Sequence, residues 1–183
     1  YAIHTNLDNV ITGVNHELAT SLGCTPESLK ILRPKAELLH HVTVYCPHAE
    51  AQVVRDAMFK AGAGSIGDYN KVSFNIKGEG TFTPEEGADP FVGKFGEDQV
   101  ESEIKIEVLV ESWLSKAVVS AAISVHPYEE VAYFIAPLTN KDKYIGAGMI
   151  GELPHPVKWE DFLDGAKSAL NASHIKHTKA PKK

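Results

Sequence analysis

The segment from Glu101 to Val110 limits most strongly what this chain can fold into. Aliphatic side chains occupy its later even positions, and charged side chains occupy most of its odd positions. Because successive side chains of a β-strand point to opposite faces of a sheet, this period of two predicts a strand with one buried and one polar face. The side chains predicted to face a core are Ile104, Ile106, Val108 and Val110.

The segments on either side of this strand predict that residues 37–138 form a self-contained unit. Three further strands are predicted, at Leu38–Tyr45, Lys71–Lys77 and Val131–Ala136. One helix is predicted from the apolar stripe Val53, Ala57, Met58 and Ala61, and another at Trp113–Val125, with Leu114, Ala117, Val118, Ala121 and Val125 on the sheet side. The order β-α-β-β-α-β is the ferredoxin-like plan, and it predicts an α/β (α+β) fold class.

Two connecting segments of this unit stand out. Residues Gly78–Gln99 are rich in glycine, proline and acidic side chains, and loops of about twenty residues in compact domains usually serve a function or an oligomer contact. His126–Glu130 places an imidazole and two carboxylates between a helix and a strand. This corner is interpreted as a ligand site or trimer contact, or as a rigid turn in which a proline ends the helix, and we favour the rigid turn.

The flanking ranges 1–36 and 139–183 carry fewer signals. Residues 1–3 resemble the tail of a strand, and residues 24–36 and 139–143 are predicted to be a connector and a polar turn. A helix is predicted around Val14, Leu18 and Leu22, with Asn15 as its N-cap and Gly23 just past its end. An amphipathic helix followed by a basic tail is predicted from Trp159, Phe162, Leu163, Ala166 and Leu170 and from residues 176–183.

Composition excludes several classes of function. The 24 acidic residues outnumber the 18 basic residues and give a net charge of −6, which disfavours a general nucleic-acid-binding surface. No stretch approaches the roughly 20 apolar residues of a membrane helix, so we expect no membrane span. Cys24 and Cys46 are too few for a disulfide framework, and we therefore expect a reducing, cytoplasmic location.

The spacing His4-x-x-x-Asp8 provides the sharpest candidate site. An imidazole nitrogen and a carboxylate oxygen together suit Zn²⁺, Mn²⁺ or Fe²⁺. The alternative is an aspartate that caps the following helix and holds the histidine by a hydrogen bond. A weaker possibility is a soft-metal site at His40 and Cys46, which share one strand face; its alternative is a buried thiol beside edge histidines, which we favour.

Several strings, taken in order, resemble one known family. This family contains the dinuclear-metal-centre proteins called GTP cyclohydrolase I type 2 homologs, or Nif-three-like proteins. The run His4–Asp8 followed by Gly13-Val14-Asn15 is similar to the central motif of the family. Residues 37–138 resemble the insert that many bacterial members carry, and the strings that carry this likeness are Gly62–Tyr69, Gly78–Pro84 and His126–Glu130, followed by Gly148–Leu153 at the return to the main domain.

The resemblance implies main-domain segments at 1–36 and 139–183 around a ferredoxin-like insert at 37–138. It implies an α/β main domain that holds two divalent metal ions (zinc, iron or manganese), with His4 and Asp8 among the ligands, and self-assembly as a trimer or a hexamer. The family's other ligands lie in a histidine-rich stretch and a His/Glu pair that this sequence does not contain. We therefore expect a section of a longer protein or a divergent short relative.

Three functional hypotheses follow. The first is a metal-dependent hydrolase, which the family favours. The second is a non-catalytic, trimerising sensor module that binds a small-molecule ligand or a metal through Gly78–Gln99 and His126–Glu130, and it expects residues 37–138 to fold alone as a trimer. The third is a scaffold with degenerate metal chemistry. The length of the chain favours the second and third hypotheses over the first.

Overall fold

The structure, a computed structural model, describes residues 2–178 of the 183-residue chain. The described helices are α1 Val14–Ser21, α2 Ala51–Lys60, α3 Ser115–Ile123 and α4 Trp159–Ala169. The described strands are β1 Lys30–Ala36, β2 Leu39–Pro47, β3 Phe74–Phe82, β4 Gln99–Glu111, β5 Tyr133–Leu138 and β6 Lys141–Ile150. None of the described helices is long and apolar enough to span a membrane.

The chain divides into two compact units, Tyr1–Lys35 with Lys141–Lys183 and Ala36–Asn140. The second unit contains a four-stranded sheet in the order β3-β4-β2-β5, with every neighbouring pair antiparallel. Together with α2 and α3, this order is that of a ferredoxin-like unit. The predicted α/β (α+β) class is confirmed.

The core of this unit lies between the sheet and its two helices. Ile104, Ile106, Val108 and Val110 of β4 are 6%, 0%, 2% and 1% exposed, which confirms the burial predicted from their alternation. The core side chains contributed by the neighbouring elements include Val42, Val44, Cys46, Val54, Met58, Val118 and Ala122. The odd-numbered side chains of β4 therefore lie on the opposite face, which we call the open face of the sheet.

The predicted helix faces are partly wrong. In α2 the buried residues are Ala51, Val54 and Met58, whereas Val53 is 52% exposed. In α3, Val118 is buried as predicted, but the other buried aliphatic residues are Val119 and Ala122 rather than Ala117 and Val125. Both helices carry small apolar residues on more than one side, so packing against the sheet selects the buried face.

The strand predicted at Lys71–Lys77 is displaced toward the C-terminus. β3 begins at Phe74 rather than at Lys71 and continues through Gly78 and Gly80 to Phe82. These glycines lie opposite Glu103 and Glu101 of β4. Strands pair through main-chain hydrogen bonds, which do not depend on side chains. The long β4 therefore pairs with β3 through these glycines, although glycine has a low strand propensity. The connection between the two strands is correspondingly shortened to residues 83–98.

The first unit contains two strands that the sequence pattern does not predict. The predicted connector 24–36 includes β1, and the predicted polar turn 139–143 includes the start of β6, with which β1 pairs. The two strands approach closely at Gly146, where a Cβ atom would lie 2.8 Å from the Cα of Pro34. Gly146 therefore permits a contact that a larger residue would prevent.

The helices of the first unit follow the predictions more closely. α4 forms where its apolar stripe predicts it, and Gly23 follows α1 with a φ of +88°, a left-handed conformation that favours glycine. Asn15 as the N-cap of α1 is wrong, since the N-cap is Gly13. Ala2 and Ile3 belong to no strand, whereas Tyr1 and residues 179–183 of the predicted tail lie outside the described residues.

The chain enters and leaves the second unit side by side. Leu39, at the start of β2, is paired with Leu138, at the end of β5. The first and last strands of the ferredoxin-like unit are thus neighbours in its sheet, and its two ends meet at the same edge of the unit.

We expect Ile106→Ala to lower the free energy of unfolding by about 2–5 kcal/mol, because it leaves a cavity beneath a fully buried side chain. Urea denaturation followed by circular dichroism measures the change. Val100→Ala is the control on the same strand, since Val100 is 63% exposed, and we expect it to change the free energy by less than about 0.5 kcal/mol. Equal losses in the two variants would contradict the burial of Ile106 in the core of the unit.

Candidate functional site

The first candidate site is the turn that carries His4 and Asp8. Residues Asn6–Asn9 form one turn of 3-10 helix. The turn is closed by the Asp8 amide and the Asn9 side-chain amide, which donate to the Thr5 carbonyl over 3.2 and 2.9 Å. The Nδ2 of Asn15 donates to the Asp8 carbonyl over 2.6 Å and anchors the turn to α1. The backbone of Asp8 is therefore held in place by the helix that follows.

The side chains of His4 and Asp8 are not held by other side chains or by the backbone within the described part of the chain. His4 is exposed and Asp8 is half-buried. Within residues 2–178, neither side chain forms a hydrogen bond or an ion pair, and α1 has no side-chain cap. The alternative in which Asp8 caps the helix and holds His4 is therefore wrong.

The donors at this turn are one imidazole and one carboxylate. Nitrogen and oxygen donors of this kind suit a divalent transition metal ion. Among residues 2–178, no three or more His, Cys, Asp or Glu side chains are grouped so that they could hold a metal ion. The chemistry of His4 and Asp8 thus fits part of a metal centre, and the other ligands of such a centre would have to be additional to this pair.

The second candidate site is a cavity of about 530 Å³ within the unit Ala36–Asn140. It is lined by the open face of the sheet, by residues 80–92 and by the segment 128–132. We call it the loop–corner cavity. The aromatic and acidic residues that line it are Tyr45, Phe82, Phe91, Tyr128, Phe134, Glu85, Glu103, Glu129 and Glu130. Two segments singled out by the sequence, Gly78–Gln99 and His126–Glu130, thus meet at one cavity.

Two contacts join the loop to the corner. The Asp89 amide donates to the Oε1 of Glu129 over 3.0 Å. The ring centroids of Phe91 and Tyr128 lie 6.0 Å apart, a separation typical of favourable aromatic pairs. A loop that is otherwise rich in glycine and acidic residues is therefore tied to the corner beside the cavity.

His126 determines the shape of the corner. Its Nε2 lies 2.8 Å from the Tyr45 carbonyl oxygen, which can only accept, so Nε2 carries the proton. Its Nδ1 accepts a hydrogen bond from the Tyr128 amide over 3.1 Å. Both ring nitrogens are used by the backbone, and His126 has the structural role that the rigid-turn interpretation favours.

Tyr128 extends from this corner into the cavity lining. Its hydroxyl oxygen is buried and has no hydrogen-bond partner of suitable geometry among the described residues. Burial, and then the negative charge of the nearby Glu103 carboxylate, raise the pKa of Tyr128 well above its usual range. The phenol therefore stays protonated and neutral across the physiological pH range.

The Glu103 carboxylate lies beside β3 because Gly80 has no side chain. A Cβ atom at Gly80 would come within 2.7 Å of the Cδ of Glu103. The alternating pattern of β4 assigns Glu103 only to a polar strand face, and no local motif marks Tyr45 or Phe134 as site residues. Tyr45 and Glu103 are at odd-numbered positions of β2 and β4. This parity and the register of the sheet place the side chains of Tyr45, Glu103 and Phe134 on the open face.

His40 and Cys46 have structural partners. The Nδ1 of His40 is 2.7 Å from the hydroxyl of the buried Ser115. Cys46 is fully buried, and burial raises the pKa of its thiol to about 11. Because metal ions bind the thiolate, a high pKa disfavours Cys46 as a ligand. These contacts agree with the core interpretation of the two residues.

The comparison with known families decides the identity of the chain. Residues 1–183 match the model of the family described as Duf34/NIF3 (NGG1p interacting factor 3). The chain belongs to the DUF34/NIF3 family. The resemblance noted in the sequence is thereby confirmed, and His4, Asp8 and the ferredoxin-like unit lie within the match.

Named relatives and a solved structure support this membership. The GTP cyclohydrolase 1 type 2 homolog of Halalkalibacterium halodurans is 43% identical over 172 residues, covering 93% of this chain and 46% of that protein. The homolog of Bacillus subtilis is 37% identical over 177 residues, covering 96% of this chain and 47% of that protein. A Bacillus cereus protein related to NIF3, known from its crystal structure, is 38% identical in sequence, with a TM-score of 0.76. The match covers 95% of this chain and 45% of that chain. The chain spans a little under half the length of these NIF3 relatives.

We expect His126→Ala to lower the free energy of unfolding by about 1–3 kcal/mol, because it removes both hydrogen bonds to the backbone of the corner. Chemical denaturation measures the difference. His48→Ala is the matched control, since His48 is exposed and not engaged in the corner, and we expect a change below about 0.5 kcal/mol. The structural role of His126 would be refuted by similar stabilities of the two variants.

Proposed function

We propose that this NIF3-family chain binds a divalent metal ion through His4 and Asp8 and is part of a metal-dependent hydrolase. The observation that carries the proposal is the state of these two side chains. His4 precedes one short turn and Asp8 lies within it, and within residues 2–178 neither side chain is engaged by a hydrogen bond or an ion pair. The donor atoms of both side chains are therefore available to an ion.

The donor chemistry supports zinc, iron or manganese. Imidazole nitrogen is a ligand for all three ions, and carboxylate oxygen adds the negative charge that a divalent ion requires. Two protein ligands hold such ions weakly, so a complete centre needs further donors. The anchoring of the turn by Asn15 keeps the Asp8 backbone in place without occupying its carboxylate.

Hydrolysis is the reaction class that the relatives' names support. The proteins of Halalkalibacterium halodurans and Bacillus subtilis are both called GTP cyclohydrolase 1 type 2 homolog. A bound divalent ion supplies Lewis acidity and activates water for such reactions. The role proposed for His4 and Asp8 is to hold the ion at a fixed position beside α1. A cytoplasmic location, proposed from the use of cysteine, fits this chemistry.

We expect Mn²⁺ to broaden the amide NMR signals around His4–Asp8 in the 183-residue chain, because a paramagnetic ion relaxes the nuclei near it. Asp8→Ala is expected to reduce this broadening at least about tenfold at equal Mn²⁺, as one charged ligand is lost. Elemental analysis of the purified chain and of the variant gives the retained metal.

Asp68→Ala is the control for this experiment. Asp68 is an exposed aspartate in another turn, and its removal changes the net charge by the same amount. We expect this variant to bind Mn²⁺ as the unaltered chain does. Broadening that is the same in the Asp8→Ala and Asp68→Ala variants would show that the ion binds elsewhere, and the proposed ligands would then be rejected.

A second candidate function is a trimerising binding module. It is favoured by the open face of the sheet, since the two helices of the unit pack on the other face. The open face carries Phe74 and Phe134, which are 66% and 63% exposed, and Ile76, which is 40% exposed. Apolar groups clustered on one face are typical of an interface between chains. We propose a second copy of this chain as its partner, in a trimer or a hexamer; a scaffold without catalysis would use the same surface.

We expect Phe74→Lys to convert the assembly into smaller species, since it places a charge in the proposed interface. Phe74 lies opposite Glu107, so the new lysine has an acidic neighbour and the fold should persist. Light scattering measures the mass of the assembly. Tyr69→Lys, at a 75% exposed turn position, should leave the mass unchanged. An unaltered mass in both variants would reject the open face as the interface.

A further inference from the structure

We propose that the loop–corner cavity binds a small organic cation, an amine carried on an apolar or aromatic body. The inference rests on the binding-module function proposed above and names the class of ligand for that module. It is independent of His4 and Asp8, which are in the other unit.

The size and the aromatic lining of the cavity suit such a ligand. A volume of about 530 Å³ is within the range of sites that enclose small molecules. Two aromatic pairs line it, Tyr45 with Phe134 and Phe91 with Tyr128, each with ring centroids 6.0 Å apart. Aromatic faces attract cations, and the attraction grows where water is excluded. The rings can therefore hold both the apolar body and the charged group of an amine.

The charge of the lining determines which sign of charge a ligand can carry. Four glutamates, Glu85, Glu103, Glu129 and Glu130, line the cavity, and none of the described residues that line it is a Lys, Arg or His. Glu129 already accepts a hydrogen bond from the Asp89 amide. A cation is stabilised by such surroundings, whereas a phosphate or carboxylate group is repelled.

The hydroxyl of Tyr128 supplies a polar contact beside the Glu103 carboxylate. It is buried and makes no hydrogen bond of good geometry among the described residues, and the Glu103 carboxylate is close enough to act on it as a hydrogen-bond acceptor. Its oxygen can accept a hydrogen bond from an ammonium group, and Glu103, in the same lining, can accept another. The two groups define one end of the cavity as the position of the amine.

A metal ion is a poorer occupant of this cavity than an organic cation. Within residues 2–178, the glutamates of the lining do not form a group of three or more that could hold one ion. Aromatic rings contribute nothing to the coordination of a hard ion, but they favour an extended ligand with an apolar part. The lining thus matches an amine with carbon attached.

The experiment compares 2-phenylethylamine with 2-phenylethanol, which has the same body and no charge. Both are titrated calorimetrically into the 183-residue chain, in each oligomeric species separated by size exclusion. We expect the amine to bind at least about tenfold more tightly than the alcohol, the difference that one charge-assisted contact provides.

Three variants locate the site. Glu103→Gln and Tyr128→Phe each remove one of the two groups assigned to the amine with almost no change in volume, and each should weaken amine binding by about fivefold to tenfold. Glu111→Gln removes the same charge from an exposed position at the end of β4 and should leave binding unchanged. Circular dichroism confirms that each variant is folded.

Equal affinity for the amine and the alcohol would overturn the assignment of a cation, while a binding module for neutral ligands would stand. Equal weakening by Glu111→Gln and Glu103→Gln would overturn the location. If the amine bound to none of the oligomeric species, the proposal would be overturned. This outcome includes the case in which a second copy of the chain fills the cavity. Amine binding in a chain that stays monomeric would support this inference and reject the trimer.

Discussion

The register of β4 between β2 and β3 is the constraint on which the second unit depends. Its even-numbered aliphatic side chains from Ile104 to Val110 are buried against α2 and α3, so its odd-numbered side chains are directed to the open face. A shift of one residue would place Glu103 in the core and Ile104 on the open face, at a cost far above the stability of a small domain. Burial on one face thereby determines the chemistry of the other.

The elements predicted correctly from the sequence are those whose pattern is local and strong. β4 alternates over most of its length, and α4 carries an amphipathic stripe. β1 and β6 escape prediction for a physical reason: Pro34 interrupts one strand, and Gly146 and Gly148 weaken the other. Their pairing depends on a partner more than one hundred residues away. Contacts of this range leave little trace in a local pattern.

The two candidate sites differ in how much of each can be recognised from the sequence. His4 and Asp8 belong to one short string, so their spacing and the family resemblance are enough to single them out, and their role as ligands stays a prediction. The loop–corner cavity draws Tyr45, Glu103 and Phe134 from three different strands. Their meeting follows from strand order and register, which no single segment specifies. The loop and the corner are recognisable because unusual length and composition are visible in a sequence.

The side-by-side ends of the second unit have a consequence for how such a chain could arise. Leu39 and Leu138 are paired neighbours, and in the first unit β1 pairs with β6. A chain without the intervening residues could connect β1 to β6 by a short turn and keep its ladder intact. Because the free energy of closing a loop rises only slowly with its length, a folded domain with adjacent ends adds little strain to the pair of strands that it interrupts. The ferredoxin-like unit can therefore be gained, lost or exchanged as a module while the strands that flank it stay the same.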